Sequence, residues 1–390
     1  MRRFPSLCLL SLLPMLVMVG CRQGVPTRVS MVAPAHPAAT PTKAEAHAWL
    51  VSGNYEALNA AFSAIQAEYR AGSRSDEALY DAFHVLYDSD EVLRPAYDGW
   101  VAAYPHSYVA LLTRGIYHRK LGQKRRGGAS IDGTSAAQIQ GMDAEYGLAM
   151  QDLEASRALD TRPLLTLTNE LDIVASYAQT PRMQAILAAS RKMDPGNIVV
   201  RRLYLSYLEP RWGGSEQQMQ DFVQQARDDG LPEAKLRLLQ AVIAVDHAQT
   251  AEGAGDDATA EHYYRQATEL GDDCAQCLSP VLIRERKYAD AIPVLTQVVA
   301  VDPADDGSLY WRGVSYLEVG RSREGFADLL AAANLGNPEA QNRIGVLYMT
   351  GLPGVVDLNT DLGVKWLRQC AATGNVNCTH NLQIAQQGSH

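Results

Sequence analysis

Three observations predict an all-α fold, an array of packed helix hairpins. Residues 288–345 carry a phased pattern: Ala291, Leu295, Val298 and Pro303 are followed, thirty-four residues on, by Gly325, Leu329, Ala332 and Asn337, with Pro338 beside it. Elsewhere apolar residues recur at helical spacing, as in Leu58, Ala61, Phe62, Ile65 and Tyr69. No stretch sustains the apolar–polar alternation of a half-buried strand. The pattern has a physical cause. Offsets 0, 4 and 7 share one helix face, so a small residue admits the neighbouring helix and a large one fills the gap beside it. A proline just past the helix stops it, because its ring cannot continue the backbone ladder.

The chain has 390 residues, 47% hydrophobic and 20% charged, with a formal charge of −9. This is the composition of a soluble globular protein, and it lacks the basic stripe of a nucleic-acid binder. Residues 1–20 read as a targeting segment. Arg2 and Arg3 precede an apolar run over 7–19, which is short for a spanning helix and fits a signal peptide. The run ends Met18-Val19-Gly20-Cys21, which resembles the bacterial lipobox, with Met18 in place of the commoner leucine. The resemblance implies lipidation of Cys21. By the sorting rule of enteric bacteria, Arg22 after the cysteine implies the outer membrane, facing the periplasm. Secretion with cleavage elsewhere and a signal anchor are the alternatives. Residues 21–43, with Pro26, Pro34, Pro37 and Pro41, read as a tether.

Residues 44–230 read as a helical domain, with helices expected over 44–50, 55–69, 78–87, 92–104, 109–121, 137–159, 164–178, 183–193 and 198–208. The string Leu208-Glu209-Pro210-Arg211-Trp212-Gly213-Gly214-Ser215 joins two helices. Pro210 stops the first, Gly213 and Gly214 supply positive φ, and Ser215 with Gln218 forms a capping box for the next. Together with YVALLTRGIYHRKLGQKRRGG, this string resembles a bacterial domain of unknown function that commonly precedes tetratricopeptide or Sel-1-like repeats. That resemblance covers about residues 50–230 and implies no activity. Trp212 is read as packing the turn; the alternative is that Arg211 and Trp212 form a corner that stacks a ligand or grips a partner.

Charge is segregated. No acid lies between Asp98 and Asp132, whereas Arg114, Arg119, Lys120, Lys124, Arg125 and Arg126 are basic. Residues 252–306 hold twelve acids against four bases. Arg119, Lys120, Lys124, Arg125 and Arg126 are therefore candidate contacts for an acidic partner or anionic headgroups, the alternative being a solvated loop or pairing with the chain's own acids.

Residues 231–390 read as the repeat domain. Between the phased helices, 308–319 carries Leu309, Gly313 and Tyr316 and ends at Gly320, which resembles the first helix of a tetratricopeptide repeat. The next segment, with Ala340, Gly345, Tyr348, Gly351, Gly354, Trp366, Ala371 and Ala372, resembles a Sel-1-like repeat, with its longer inter-helix turn. The two resemblances cover about residues 260–385 and imply a right-handed superhelix with a protein-binding groove.

Cys274, Cys277, Cys370 and Cys378 remain once Cys8 and Cys21 are set aside. Cys370 and Cys378 stand where Ala332 and Ala340 stand in the preceding repeat, and so resemble the disulfide-stapled class of Sel-1-like repeats. Cys274 and Cys277 are expected to form a local bridge. A redox pair would need a βαβ setting, which is not read here, and zinc a histidine pair, whereas His262 is isolated. No nucleophile elbow, phosphate loop, zinc-protease or dinucleotide motif is present, so no catalytic residue, metal or cofactor is assigned. By analogy, lipoproteins with Sel-1-like repeats include immunity proteins against secreted phospholipase-type effectors. That makes a protein partner, with no nucleic acid, the leading expectation. An envelope-assembly scaffold, or a hydrolase or redox enzyme with its site in 44–230, is the alternative.

Overall fold

The computed structural model describes residues 39–128, 133–272 and 274–387. The targeting segment, Cys21 and most of the tether lie outside them. The described chain is all-α. Its nineteen helices are α1 (Lys43–Ser52), α2 (Tyr55–Ala71), α3 (Asp76–His84), α4 (Arg94–Ala103), α5 (Tyr108–Arg126), α6 (Ala136–Arg157), α7 (Leu164–Ser176), α8 (Thr180–Met193), α9 (Val199–Ser206), α10 (Glu216–Asp228), α11 (Glu233–Gly253), α12 (Asp257–Glu269), α13 (Ala275–Arg284), α14 (Tyr288–Val301), α15 (Asp306–Glu318), α16 (Ser322–Leu335), α17 (Pro338–Thr350), α18 (Thr360–Ala371) and α19 (Val376–Gln387). The only extended pairing among the described residues is one antiparallel bridge, Leu352 to Val356. No described helix is long and apolar enough to cross a membrane.

Helix ends follow local chemistry. The Thr42 hydroxyl accepts the Glu45 N–H and the Glu45 carboxylate accepts the Thr42 N–H, a reciprocal box that starts α1. Several helices differ from their expected bounds. α3 stops at His84 rather than at 87, α4 is preceded by a 3-10 turn over Glu91–Leu93, and α9 stops at Ser206. In each case the residues beyond keep apolar spacing but serve to cross between helices.

Consecutive helices pack as hairpins: α5 on α6, α7 on α8, α11 on α12, α13 on α14, α15 on α16 and α17 on α18. α5, α7, α9 and α11 also pack each on the next, forming one continuous row. The phased positions are the buried ones. Ala291, Leu295 and Val298 on α14, and Leu329 and Ala332 on α16, are each at most 4% exposed. Burying a side chain such as Leu329 contributes roughly 1.5–3 kcal/mol. The small positions set the helix spacing. A Cβ on Gly313 would lie 2.9 Å from Leu329 Cγ and 3.0 Å from the Gly325 carbonyl oxygen, so only glycine lets α15 and α16 approach this closely. The Sel-1-like turn between α17 and α18 is held by the Leu352–Val356 bridge and by the Asn359 N–H donating to the Tyr348 carbonyl at 2.7 Å.

One apolar core runs from Ala46 to Ile243, a second from Ala241 to Leu295 and a third from Leu309 to Ile344. α11 contributes to the first two. The N-terminal helices close over the row: α2 packs on α5, α3 on α9 and α1 on α4. Arg162 donates to both Asp194 (2.7 Å) and the Tyr69 carbonyl (2.8 Å), and the Tyr69 hydroxyl donates to Asp194 (2.9 Å), tying α2 to the α8–α9 connection.

Candidate protein-binding face

The α5–α7–α9 row carries a fixed polar platform. Arg119, 4% exposed, donates from Nε to Asn169 Oδ1 at 2.7 Å and pairs with Asp172 at 2.7 Å. The Tyr207 hydroxyl donates to the other Asp172 oxygen at 2.6 Å. The Arg119 guanidinium also lies over the Tyr87 ring, 5.7 Å from its centroid. Arg119 and Tyr207, from α5 and the end of α9, thus share the Asp172 carboxylate of α7. Burial, then the charge of Asp172, pushes the Tyr207 phenol far above its ordinary value, so it stays a donor.

Lys120, the next residue on α5, borders this platform. It is half-buried, and its ammonium meets no hydrogen-bond or ion-pair partner among the described residues. Burial, then neighbouring Arg119, holds it below the usual lysine range. Tyr80 and His84 on α3 and Tyr87 beyond it form an aromatic wall, with centroids 4.9 Å apart for His84–Tyr87 and 5.9 Å apart for Tyr80–Tyr87. Burial, then the charge of Lys120, lowers the His84 imidazole, and burial, then Asp172, raises the Tyr80 phenol. On this face Lys120 makes no close ion pair, although the charge of Asp172 acts on it.

The basic stretch expected to form a surface patch does not do so. Arg114 pairs with Asp152 (2.7 Å) and Asp98 (3.1 Å), Arg119 is buried on Asp172, and Arg125 pairs with Glu145 (3.1 Å) and Glu91 (3.7 Å). Lys124 donates to the Ser89 carbonyl (2.9 Å) and Arg126 to the Gly127 carbonyl (3.3 Å). Of the five candidate contacts, Arg119 and Arg125 meet carboxylates, Lys124 bonds a neutral carbonyl, and Lys120 makes no hydrogen bond or close ion pair among the described residues. A run of bases along a helix points in all directions round its axis, so most meet acids of neighbouring helices. Within the acidic stretch the same holds: Arg284 takes Glu252 and Asp257, and Lys287 takes Glu285 at 3.0 Å.

The Glu209–Gly214 corner also differs from expectation. Trp212 is 59% exposed and does not pack the turn. Arg211 pairs with buried Glu209, donates to Gln249 on α11, and lies 5.8 Å from the Trp212 ring centroid. Gly213 has φ 87°, but Gly214 is required for space: a Cβ there would sit 2.0 Å from the Leu208 carbonyl oxygen. Ser215 caps α10 through the Gln218 N–H at 3.3 Å, while the Gln218 side chain takes the Ser215 hydroxyl rather than its N–H, leaving the expected box half made.

Cys370 and Cys378 are joined by a disulfide, with Cα atoms 5.8 Å apart, and both are fully buried between α18 and α19. Cys274 and Cys277 carry thiols rather than the expected bridge; Cys274 is the cap residue of α13. No described group of three or more histidine, cysteine or carboxylate side chains gathers to hold a metal. A cleft of about 500 Å³ lies between α2 and the α4–α5 connection. Its polar groups serve the fold: Ser107 donates to Asn59 (2.5 Å), Gln66 to the Arg162 carbonyl (3.1 Å), and Arg70 pairs with Asp160 (3.4 Å).

Sequence reasoning found Arg119 and Lys120 but missed Tyr80, His84, Asp172 and Tyr207. Nothing local marks these residues, since α3 and α9 meet only through the fold.

A family model described as Domain of unknown function (DUF4034) matches residues 175–244, which include α8 to α10 and the Glu209–Gly214 corner. The match does not reach the 108–128 stretch. Among solved structures, the chain is similar to a Sel1 repeat protein from Oxalobacter formigenes, at 16% identity over 54% of this chain and 86% of that one, with TM-score 0.33. It is also similar to a protective antigen present in uropathogenic Escherichia coli strains displaying an SLR fold, at 14% identity over 83% and 90%, with TM-score 0.36. No curated protein matches the chain.

Proposed function

We propose that this chain is a non-enzymatic helical-repeat scaffold that binds an acidic surface of a protein partner at the face formed by α3, α5, α7 and α9. The observation that supports the reading is Lys120. Its half-buried ammonium forms no close ion pair among the described residues, although the charge of Asp172 acts on it, and it stands beside an aromatic wall and a platform already fixed by the Arg119–Asp172 pair. A partner carboxylate supplies the missing charge, and Tyr80 and His84 supply flat contact area at low entropic cost. The first 44 residues contain no acid, so the chain's own N-terminal segment does not match this charge.

The finer reading is a lipoprotein anchored through Cys21 to the outer membrane and facing the periplasm, acting as an immunity protein against a secreted phospholipase-type effector. Co-expression with an effector encoded beside the gene tests both levels. Protection by wild type, lost in K120E and in the Y80A/H84A double variant, supports the reading. Protection that survives both variants moves the contact face elsewhere. No protection, together with a gene neighbourhood of envelope-synthesis functions, supports the envelope-scaffold alternative.

A further inference from the structure

The cleft between α2 and the α4–α5 connection has two unlike walls. On α2, Asn59, Ser63, Gln66 and Arg70 stand at offsets 0, 4, 7 and 11, so they share one helix face over roughly 16 Å. This stripe lies one step round the helix from the buried Leu58, Phe62, Ile65 and Tyr69. The facing wall, from the end of α4 to the start of α5, includes half-buried Tyr104 and exposed Pro105, and Leu159 adds apolar surface. A volume of about 500 Å³ falls within the range of small-molecule sites.

The bonds that fix these walls leave part of the polar stripe unspent. The Ser107 oxygen accepts the Ala110 N–H, so its own proton goes to Asn59 Oδ1 at 2.5 Å. Both N–H groups of Asn59 Nδ2 then lack a partner among the described residues, as does the Ser63 hydroxyl. The Arg162 carbonyl only accepts, so Gln66 turns Nε2 toward it, at 3.1 Å. Gln66 Oε1 is left without a partner among the described residues, on a residue 1% exposed. Buried acceptors are seldom left unmet. Arg70 and Asp160 pair at 3.4 Å, so the lining offers no net charge apart from exposed His106.

We propose that this cleft binds a neutral saccharide, with the C–H face of a ring on the Tyr104–Pro105 wall and its hydroxyls on the α2 stripe. The unspent groups are the Asn59 donors, the Gln66 acceptor and the Ser63 hydroxyl. A carboxylate accepts only, so it leaves Gln66 Oε1 unmet and faces Asp160. An ammonium donates only, so it leaves Asn59 unmet and faces Arg70. A sugar hydroxyl both donates and accepts, so several on one rim satisfy all three positions. The other wall asks for an apolar face, which the same ring carries. A peptide amide has one donor and one acceptor but no such face, and it is the competitor included in the test. The cleft is a site separate from the α3–α9 face.

The test is saturation-transfer NMR on the full chain with glucose, mannose, galactose, maltose and cellobiose. At least one sugar is expected to show saturable transfer, strongest at its ring C–H protons. N59D keeps an oxygen for the Ser107 hydroxyl but removes the two donors, and should weaken binding roughly tenfold. S63L fills the middle of the stripe and should abolish transfer. Equal unfolding midpoints of N59D and wild type secure the comparison should S63L fail to fold. N-acetylalanine methylamide, a peptide amide without a sugar ring, should not displace the sugar. Transfer to none of these sugars, transfer unchanged in N59D, or tighter binding of the amide than of any sugar overturns the proposal.

Discussion

Asp76, in the first turn of α3, accepts the backbone N–H groups of Ile198 and Val199 (the latter at 3.0 Å), capping α9 from 122 residues away. The first N–H groups of a helix have no partner within it, and a carboxylate placed there also meets the positive end of the helix dipole. Lys235 on α11 pairs with the same carboxylate at 3.2 Å, so Asp76 joins three elements.

D76A is expected to cost about 2–3 kcal/mol, because buried N–H donors lose a charged acceptor. K235M should cost less than about 1 kcal/mol, since the Lys235 side chain is 27% exposed. Urea unfolding of the two variants checks this ordering; equal losses would show that the cap contributes nothing beyond the ion pair.

R119M should destabilise by about 3–5 kcal/mol, because Asp172 and Asn169 lose their partner inside the platform. K120Q, one residue along, should change stability by less than about 0.5 kcal/mol, since its ammonium makes no intramolecular pair among the described residues. Thermal unfolding of the two variants separates the buried base from its half-buried neighbour.

Glu170 is 3% exposed; one oxygen pairs with Arg157 at 3.2 Å and the other has no partner among the described residues. Burial raises its carboxyl above the ordinary range. The folded chain thus holds this proton more tightly than the unfolded chain does, so the contribution is full at low pH and is lost as pH rises through the folded value. E170Q should remove that loss and stabilise the protein by about 1–2 kcal/mol near neutrality, with no gain at acid pH. Unfolding midpoints measured across that range decide it.

Replacing Cys370 and Cys378 with alanine should weaken α19 selectively. Closing so short a loop is worth about 2–2.5 kcal/mol in chain entropy. Hydrogen exchange should quicken in α19 and stay unchanged in α5 to α9.

W212A should leave stability within about 0.5 kcal/mol of wild type, given the exposure of the ring. A larger loss in the unfolding midpoint would restore Trp212 to a packing role.

Hairpins, their order and their buried stripes were legible in the chain. Periodicity is a local property: Ala291, Leu295 and Val298 must share a helix face whatever that helix meets, and Gly320 or Pro303 ends a helix by its own backbone chemistry. The staple at Cys370 and Cys378 was legible for the same reason, since eight residues of chain place both at one turn. Pairing between distant charges was not. The bases of α5 looked alike in sequence, yet Arg119 is buried on Asp172, Arg125 pairs with Glu145, Lys124 reaches the Ser89 carbonyl, and half-buried Lys120 makes no close ion pair among the described residues. Nor could composition place Tyr80 and His84 beside that ammonium, or Arg94 beside His118. Sequence by itself determined which residues form helices and which face each helix buries, because those depend on neighbours three and four positions away. Tertiary structure alone decided which charges cancel and which remain open to a partner, because an ion pair is set by distance in space between helices that the chain separates by some twenty to fifty residues.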